Sequence, residues 1–166
     1  NGGIGLGMAK GMASIGASIV VAGRNADKAA DAVEQLQELG AEAIFIPVDV
    51  SDDRSCGELI AASAAHFGRL DILINNAGEV LPTGPLDPWE EAVSTYERIF
   101  SSNTRGAFLY GRAVAPVMAE LHGGNILNVS TDHVKPAPHA ERHHGHGSMD
   151  LYNASKWALN GLTFDW

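Results

Sequence analysis

The chain carries a single cysteine, Cys56, so no internal disulfide can form, and a reducing, cytoplasmic setting is the expectation. That thiol sits in a helical pattern and reads as a half-buried packing residue, not a nucleophile. No apolar run approaches the ~20 residues that cross a bilayer, which argues against a membrane span. Basic residues are also scarce. Against 20 Asp and Glu there are only 11 Lys and Arg, a net charge of −9. A surface of that sign is a poor match for nucleic acid or an anionic membrane, and neither is expected as a partner. Internal repeats and linker-like stretches are missing too, so residues 1–166 read as one domain. The chain opens on Asn1 without a preceding strand and stops at Trp166 within a helical pattern. Both ends read as cut, and the expectation is an incomplete domain, an internal piece of a longer protein.

What is present is a regular alternation of short apolar runs and amphipathic stretches. Ile4, Met8, Met12 and Ile15 form a helical stripe ahead of a strand over 18–22. Asn25 is placed to cap a helix from Ala26 to Leu39, with apolar Ala29, Val33, Leu36 and Leu39, and Gly40 ends it. Strands are expected over 43–48, 70–74 and 125–130. Helices are expected from a Ser51 cap to about Phe67, across Trp89–Leu121, and from Asp150 onward. Such strands, almost continuously apolar, imply a parallel sheet covered by helices on both faces, an α/β fold. Ligands bind such sheets at the carboxyl ends of the strands.

Distinctive groups fall at those ends. Gly2-Gly3-Ile4-Gly5 precedes a helix, where backbone N–H groups can approach a phosphate; Gly7 and Gly11 read as structural, letting that helix lie close on the sheet. Arg24 follows the first strand, with no acid in Gly23-Arg24-Asn25; a guanidinium there suits the 2′-phosphate of NADP, and NAD is second choice. Tyr152 and Lys156 stand four apart on a helix and project from one face. A phenol titrates near 10 in water, and bringing it to about 7 takes roughly 4 kcal/mol. A cation ~6 Å away at an effective dielectric of ~20 supplies about 2.8 kcal/mol of that.

Taken together, these motifs resemble the short-chain dehydrogenase/reductases. Gly3 and Gly5 match the last two glycines of that family's Thr-Gly-x-x-x-Gly-x-Gly, whose first residues would precede Asn1. Asn75-Asn76-Ala77-Gly78, Asn103 within Ser102-Asn103-Thr104, Asn128-Val129-Ser130-Thr131 and Tyr152-x-x-x-Lys156 match its remaining motifs in order. The resemblance implies a Rossmann-like, doubly wound parallel sheet, truncated at both ends, with the first and last strands missing. It implies an oxidoreductase moving a hydride between NADP(H) and a small alcohol or carbonyl substrate. Tyr152 would move the proton, Lys156 would lower the phenol pKa and hold the nicotinamide ribose, and Asn103 would anchor a relay water. Gly3, Ile4, Gly5, Arg24, Asp49, Val50, Asn76, Ala77 and Gly78 would line the cofactor together with Tyr152 and Lys156. Homo-oligomers would form through the helices of Trp89–Leu121 and Asp150–Trp166 in the full-length protein.

Two departures stand out. The family's usual Ser-Ser is Ser130-Thr131 here, so Thr131 takes the catalytic second position and Ser130 is the alternative carrier. The stretch from Asp132 to Leu151 is longer than usual and holds His133, His139, His143, His144 and His146. A polar lid over the substrate is the favoured reading there; a metal or carboxylate site, with Lys135 or Arg142 assisting, is the lesser one, and no metal ligand is assigned. The rival to the enzyme is a non-catalytic dinucleotide-binding sensor or scaffold with the same fold, which would need no proton path.

Overall fold

The computed structural model describes residues 2–134 and 149–166. Helices α1 (Gly3–Ala13), α2 (Ala26–Gln37), α3 (Asp53–Phe67), α4 (Trp89–Phe100), α5 (Gly106–Glu120) and α6 (Asp150–Asp165) alternate with strands β1 (Ile19–Gly23), β2 (Ala43–Pro47), β3 (Ile72–Asn75) and β4 (Asn125–Asn128). The strands form two parallel pairs. β1 pairs with β2 in the register Val21 to Phe45, and β3 pairs with β4 in the register Leu73 to Ile126. β1 and β3 are not hydrogen-bonded to each other; a cavity runs between them, walled by Val20 and Val21 on one side and Leu73 and Ile74 on the other.

Two apolar cores hold the layers. One joins α1 and α2 to β1 and β2 through Ala13, Val21, Ala29, Ala32, Leu36 and Ala43. The other joins α3 to α5 through Cys56, Leu59, Ile60, Tyr110, Val114 and Met118, with Leu73 and Ile126 packed against it. Cys56 is fully buried, deeper than its sequence position suggested, and burial pushes its thiol pKa up. That is the opposite of what a reactive thiolate needs.

Helix ends follow local chemistry, with one correction. Asn25 caps α2 as expected, its side chain accepting the Lys28 N–H at 2.8 Å, and Gly40 turns the chain with φ +84°. At α3 the cap is Asp52, which accepts the Ser55 N–H at 3.1 Å, and not Ser51. The Ser51 hydroxyl is drawn instead to Asp49, donating to its carboxylate at 2.7 Å.

The packing face of α1 also differs from the expected stripe. Ile4 and Ile15 are 71% and 78% exposed, while Leu6, Ala9 and Ala13 meet the core. At 100° per residue, positions 7 and 11 lie on the side opposite 6, 9 and 13. Gly7 and Gly11 accordingly face open space and do not mediate a close helix–sheet approach in this structure. The small Ala9 and Ala13 serve that purpose.

The long helical stretch after Trp89 is α4 and α5 joined by one wide π-turn, Ser101–Arg105. Such turns interrupt regular helix geometry and concentrate at functional sites. Here the turn directs Asn103 inward, to 1% exposure. Directly after it, Gly106 lies against the end of β2: a Cβ at Gly106 would stand 2.7 Å from the Val50 carbonyl oxygen.

Candidate functional site

The turns that follow the carboxyl ends of the strands carry the site. Arg24 follows β1, Asp49 and Val50 follow β2, Asn76, Ala77 and Gly78 follow β3, and Ser130 and Thr131 follow β4. A cavity of about 1260 Å³ takes in Gly5, Arg24, Asp49, Val50, Asn76, Ala77 and Gly78. It exceeds a common ligand pocket of ~300–1,000 Å³. Part of the excess is the space between β1 and β3. Gly3 and Ile4 lie at the start of α1, just outside its walls.

Tyr152 and Lys156 occupy the first two turns of α6 and are brought together. The Lys156 ammonium lies 5.8 Å from the centre of the Tyr152 ring, close to the separation the helical spacing implies. Lys156 is 4% exposed, and burial lowers its pKa below the ordinary lysine value. Opposing that, its Nζ donates to the Val129 carbonyl at 2.8 Å, a bond that favours the charged form and ties α6 to the end of β4. Tyr152 and Lys156 are not among the cavity walls. They adjoin it through Gly78, where an added Cβ would stand 3.3 Å from both the Lys156 Nζ and the Asn103 Oδ1.

Asn103 is densely bonded. Its Oδ1 accepts the Glu79 N–H at 2.7 Å; its Nδ2 donates to the Glu79 carbonyl at 3.0 Å and to the Ser155 hydroxyl at 3.1 Å. The Ser102 hydroxyl, with one proton to give, lies 2.9 Å from the Asn103 Oδ1 and 3.2 Å from the Ile99 carbonyl. Both amide donors of Asn103 are therefore used within the protein. The side chain fixes the segment after β3 onto α6.

Ser130 and Thr131 diverge. The Ser130 hydroxyl faces α6 and donates to the Lys156 carbonyl at 3.4 Å. The Thr131 hydroxyl engages its own neighbours, Asp132 and the His133 N–H, each at 3.4 Å. Neither is bonded to Tyr152 among the described residues. Of the histidine-rich stretch, His133 is described, beside Asp132 at 4.0 Å. Lys135, His139, Arg142, His143, His144 and His146 lie outside the described residues.

At the other end, Arg24 is not alone. Its guanidinium approaches the Asp49 carboxylate at 3.9 Å, both groups well exposed. Asp49 is held below the ordinary carboxylate range by hydrogen bonds from Ser51 first, with Arg24 a lesser cause. Reading β1 alone finds no acid here; the acid arrives from the end of β2.

The residues present fit a dinucleotide. Gly2 provides no side-chain cap to α1, so the first N–H groups of that helix are not claimed by a side chain. Gly5 lies so close to Asn76 that a Cβ would come within 2.7 Å of the Asn76 amide, keeping the floor between them flat. Sequence reading missed Ser155, Thr104 and Thr83. Ser155 is fully buried: its hydroxyl donates to the Tyr152 carbonyl at 2.7 Å and accepts from Asn103. The Thr104 hydroxyl donates to the Ser155 carbonyl at 3.1 Å. A serine between Tyr152 and Lys156 was the one available signal, and only as a back-bonded helix residue.

Comparison with known proteins agrees with this geometry. The sequence matches the short chain dehydrogenase family over residues 1–166. It is 35% identical over 161 residues to cis-4-hydroxycyclohexanecarboxylate dehydrogenase of Sinomonas cyclohexanicum, covering 97% of this chain and 60% of that one. It is 32% identical over 168 residues to gluconate 5-dehydrogenase of Gluconobacter oxydans, covering 98% and 64% respectively. Among solved structures, a metagenomic short-chain oxidoreductase in complex with NADP superposes with a TM-score of 0.82 at 29% identity, covering 99% of this chain and 70% of that one. The chain spans about three fifths of the length of the curated relatives it matches. With motifs, fold and relatives in agreement, the chain belongs to the short chain dehydrogenase family.

Proposed function

We propose that the full-length protein is an oxidoreductase that moves a hydride between NADP(H) and an alcohol or carbonyl substrate. The observation that carries this reading is the buried Lys156 ammonium 5.8 Å from the Tyr152 ring, beside Gly78 and at the end of β4. Bound NADP(H) supplies the hydride donor or acceptor. Tyr152 gives its phenolic proton to the carbonyl oxygen in reduction and takes it back in oxidation. Lys156, fixed by Val129, holds its positive charge beside the Tyr152 ring and would hold the ribose hydroxyls of the bound cofactor. Thr131, with Ser130 as the alternative, orients the substrate oxygen by a hydrogen bond. Gly3, Ile4 and Gly5 would receive the phosphates at the start of α1, Asp49 and Val50 would flank the adenine, and Asn76, Ala77 and Gly78 would support the nicotinamide half.

The test is turnover of a broad carbonyl panel by the full-length protein with NADPH. Tight NADPH binding without reduction of any member would favour a sensor or scaffold instead. Of the two hydroxyls, Thr131→Ala is expected to lower kcat by about 100-fold or more, a size typical of one lost oriented donor. Loss of turnover on Ser130→Ala alone would reassign the role to Ser130.

NADP preference rests on Arg24. Its contact with Asp49 is exposed and weak, and a guanidinium has donors to spare for a phosphate. Arg24→Ala is expected to reduce kcat/KM for NADPH about 10- to 100-fold while leaving that for NADH within about threefold. Equal losses with both cofactors, or a wild-type preference for NADH, would refute the assignment.

Homo-oligomerisation is part of the same proposal. Trp89, Tyr96, Phe108 and Trp157 are exposed on α4, α5 and α6. An aromatic surface of that kind suits a second copy of the chain.

A further inference from the structure

The helix that carries Tyr152 and Lys156 starts badly by its own sequence. Met149 precedes α6 and offers no side-chain cap. The first turn of a helix leaves N–H groups without partners, and an uncapped turn frays. Tyr152 is the third residue of α6 and lies within that turn.

Asp150 within the turn supplies one partner, and a second comes from 67 residues away. Thr83 is 4% exposed, and its hydroxyl donates a short hydrogen bond to the Asp150 carboxylate. The same Asp150 oxygen accepts the Leu151 N–H at 2.7 Å, and that N–H also approaches the Thr83 hydroxyl at 3.4 Å. The backbones of Thr83 and Met149 form a parallel bridge alongside. Thr83 itself is presented by a tight turn. The Gly84 N–H donates to the Asp87 carboxylate at 2.7 Å, and the Asp87 N–H donates back to the Gly84 carbonyl at 3.2 Å. The negative charge of Asp150 stands at the positive end of α6, where it is favourable.

The start of this segment is pinned as well. Glu79 is held through its backbone by Asn103 and through its carboxylate by Arg98. Asn103 in turn reaches Ser155, which bonds the Tyr152 carbonyl. Segment 79–87 therefore grips α6 on both sides of Tyr152, by Thr83 before it and by the Asn103–Ser155 bridge after it.

We propose that Thr83 is a positioning residue: with Asp150 it caps α6 through space and so fixes the phenol of Tyr152 for proton transfer. This rests on the reading of Tyr152 as the proton carrier. Among the described residues the Thr83 hydroxyl meets Asp150 and Leu151. Its effect runs through the backbone of Asp150 and Leu151.

The test uses the full-length protein and Thr83→Val, which keeps the side-chain shape and removes the hydroxyl. The expected result is a kcat about 10- to 100-fold lower, the size of a misplaced catalytic group, with the NADPH dissociation constant unchanged within about twofold. Amide hydrogen exchange at Leu151, Tyr152 and Asn153 is expected to accelerate, and Thr83→Ser is expected to restore both readouts. Asp150→Ala removes the other half of the contact and should act in the same direction, with little added loss in the double variant. It also serves if Thr83→Val does not fold. Wild-type kcat and exchange in Thr83→Val, or fully additive losses in the double variant, would overturn the proposal. Tyr152→Phe separates the two ideas. If it is inactive while Thr83→Val turns over normally, the positioning role fails and the proton-carrier reading stands. If it remains active, the proton-carrier reading fails, and the positioning role falls with it.

Discussion

Tyr152→Phe in the full-length protein is expected to lower kcat by about 10³-fold, within the range a positioned acid–base group contributes. NADPH affinity should change little, because the phenyl ring keeps the packing and only the hydroxyl is lost. Lys156→Met is expected to differ in kind. Lys156 is buried, donates to the Val129 carbonyl, and stands 3.3 Å from the Cβ position of Gly78. Methionine removes the charge beside the Tyr152 ring and leaves the Val129 carbonyl without that donor. Both kcat and NADPH affinity should fall. Steady-state kinetics, with NADPH binding followed by fluorescence, read both effects. A Tyr152→Phe variant retaining more than about a tenth of wild-type kcat would remove the phenol from the mechanism.

How far the sequence carried this result depended on the range of the interactions. The parallel α/β order was legible because each strand is a short apolar run and each helix repeats apolar residues at helical spacing, as Ala29, Val33 and Leu36 do in α2. The Asn25 cap was legible because its partner is three residues away. Ser51 misled for a similarly local reason: hydroxyl and carboxylate are both good caps, and only Asp49 decided between Ser51 and Asp52 by engaging the serine. The α1 face was misread because large Ile and Met residues dominate any count of hydrophobicity, whereas close packing on α2 and β1 selected Leu6, Ala9 and Ala13. Motif spacing identified Asn103, but not its bonding to Glu79 and Ser155, which requires both to meet it at the π-turn. Thr83 gave no sequence signal at all. Its partner is set by topology, and a threonine in a proline-rich loop looks like any other turn residue.

The 166-residue chain on its own is expected neither to unfold in one cooperative transition nor to oxidise NADPH. β1 is paired only on its β2 side and β3 only on its β4 side, and the two facing edges border a cavity lined by Val20, Val21, Leu73 and Ile74. Each bare edge leaves backbone donors and acceptors without sheet partners among the described residues. A strand supplied from outside these residues would satisfy both edges at once and join the two apolar cores, one built on α1 and α2 and the other on α3 and α5. Without it the cores are coupled through the connection between β2 and α3 and through Val20 and Ile46, which pack against the second core, so one is expected to open before the other. The groups proposed to hold the cofactor are divided along the same line: Gly5, Arg24 and Asp49 belong with the first pair of strands, and Gly78 and Lys156 with the second. Loss of registration between the halves therefore removes cofactor binding before it removes secondary structure. Urea unfolding followed by circular dichroism and by tryptophan fluorescence should give non-coincident transitions for this chain and a single coincident one for the full-length protein. Coincident transitions together with NADPH turnover by residues 1–166 alone would refute the expectation, and would mean that the two strand pairs are held in register by α3, α5 and α6 without a strand between them.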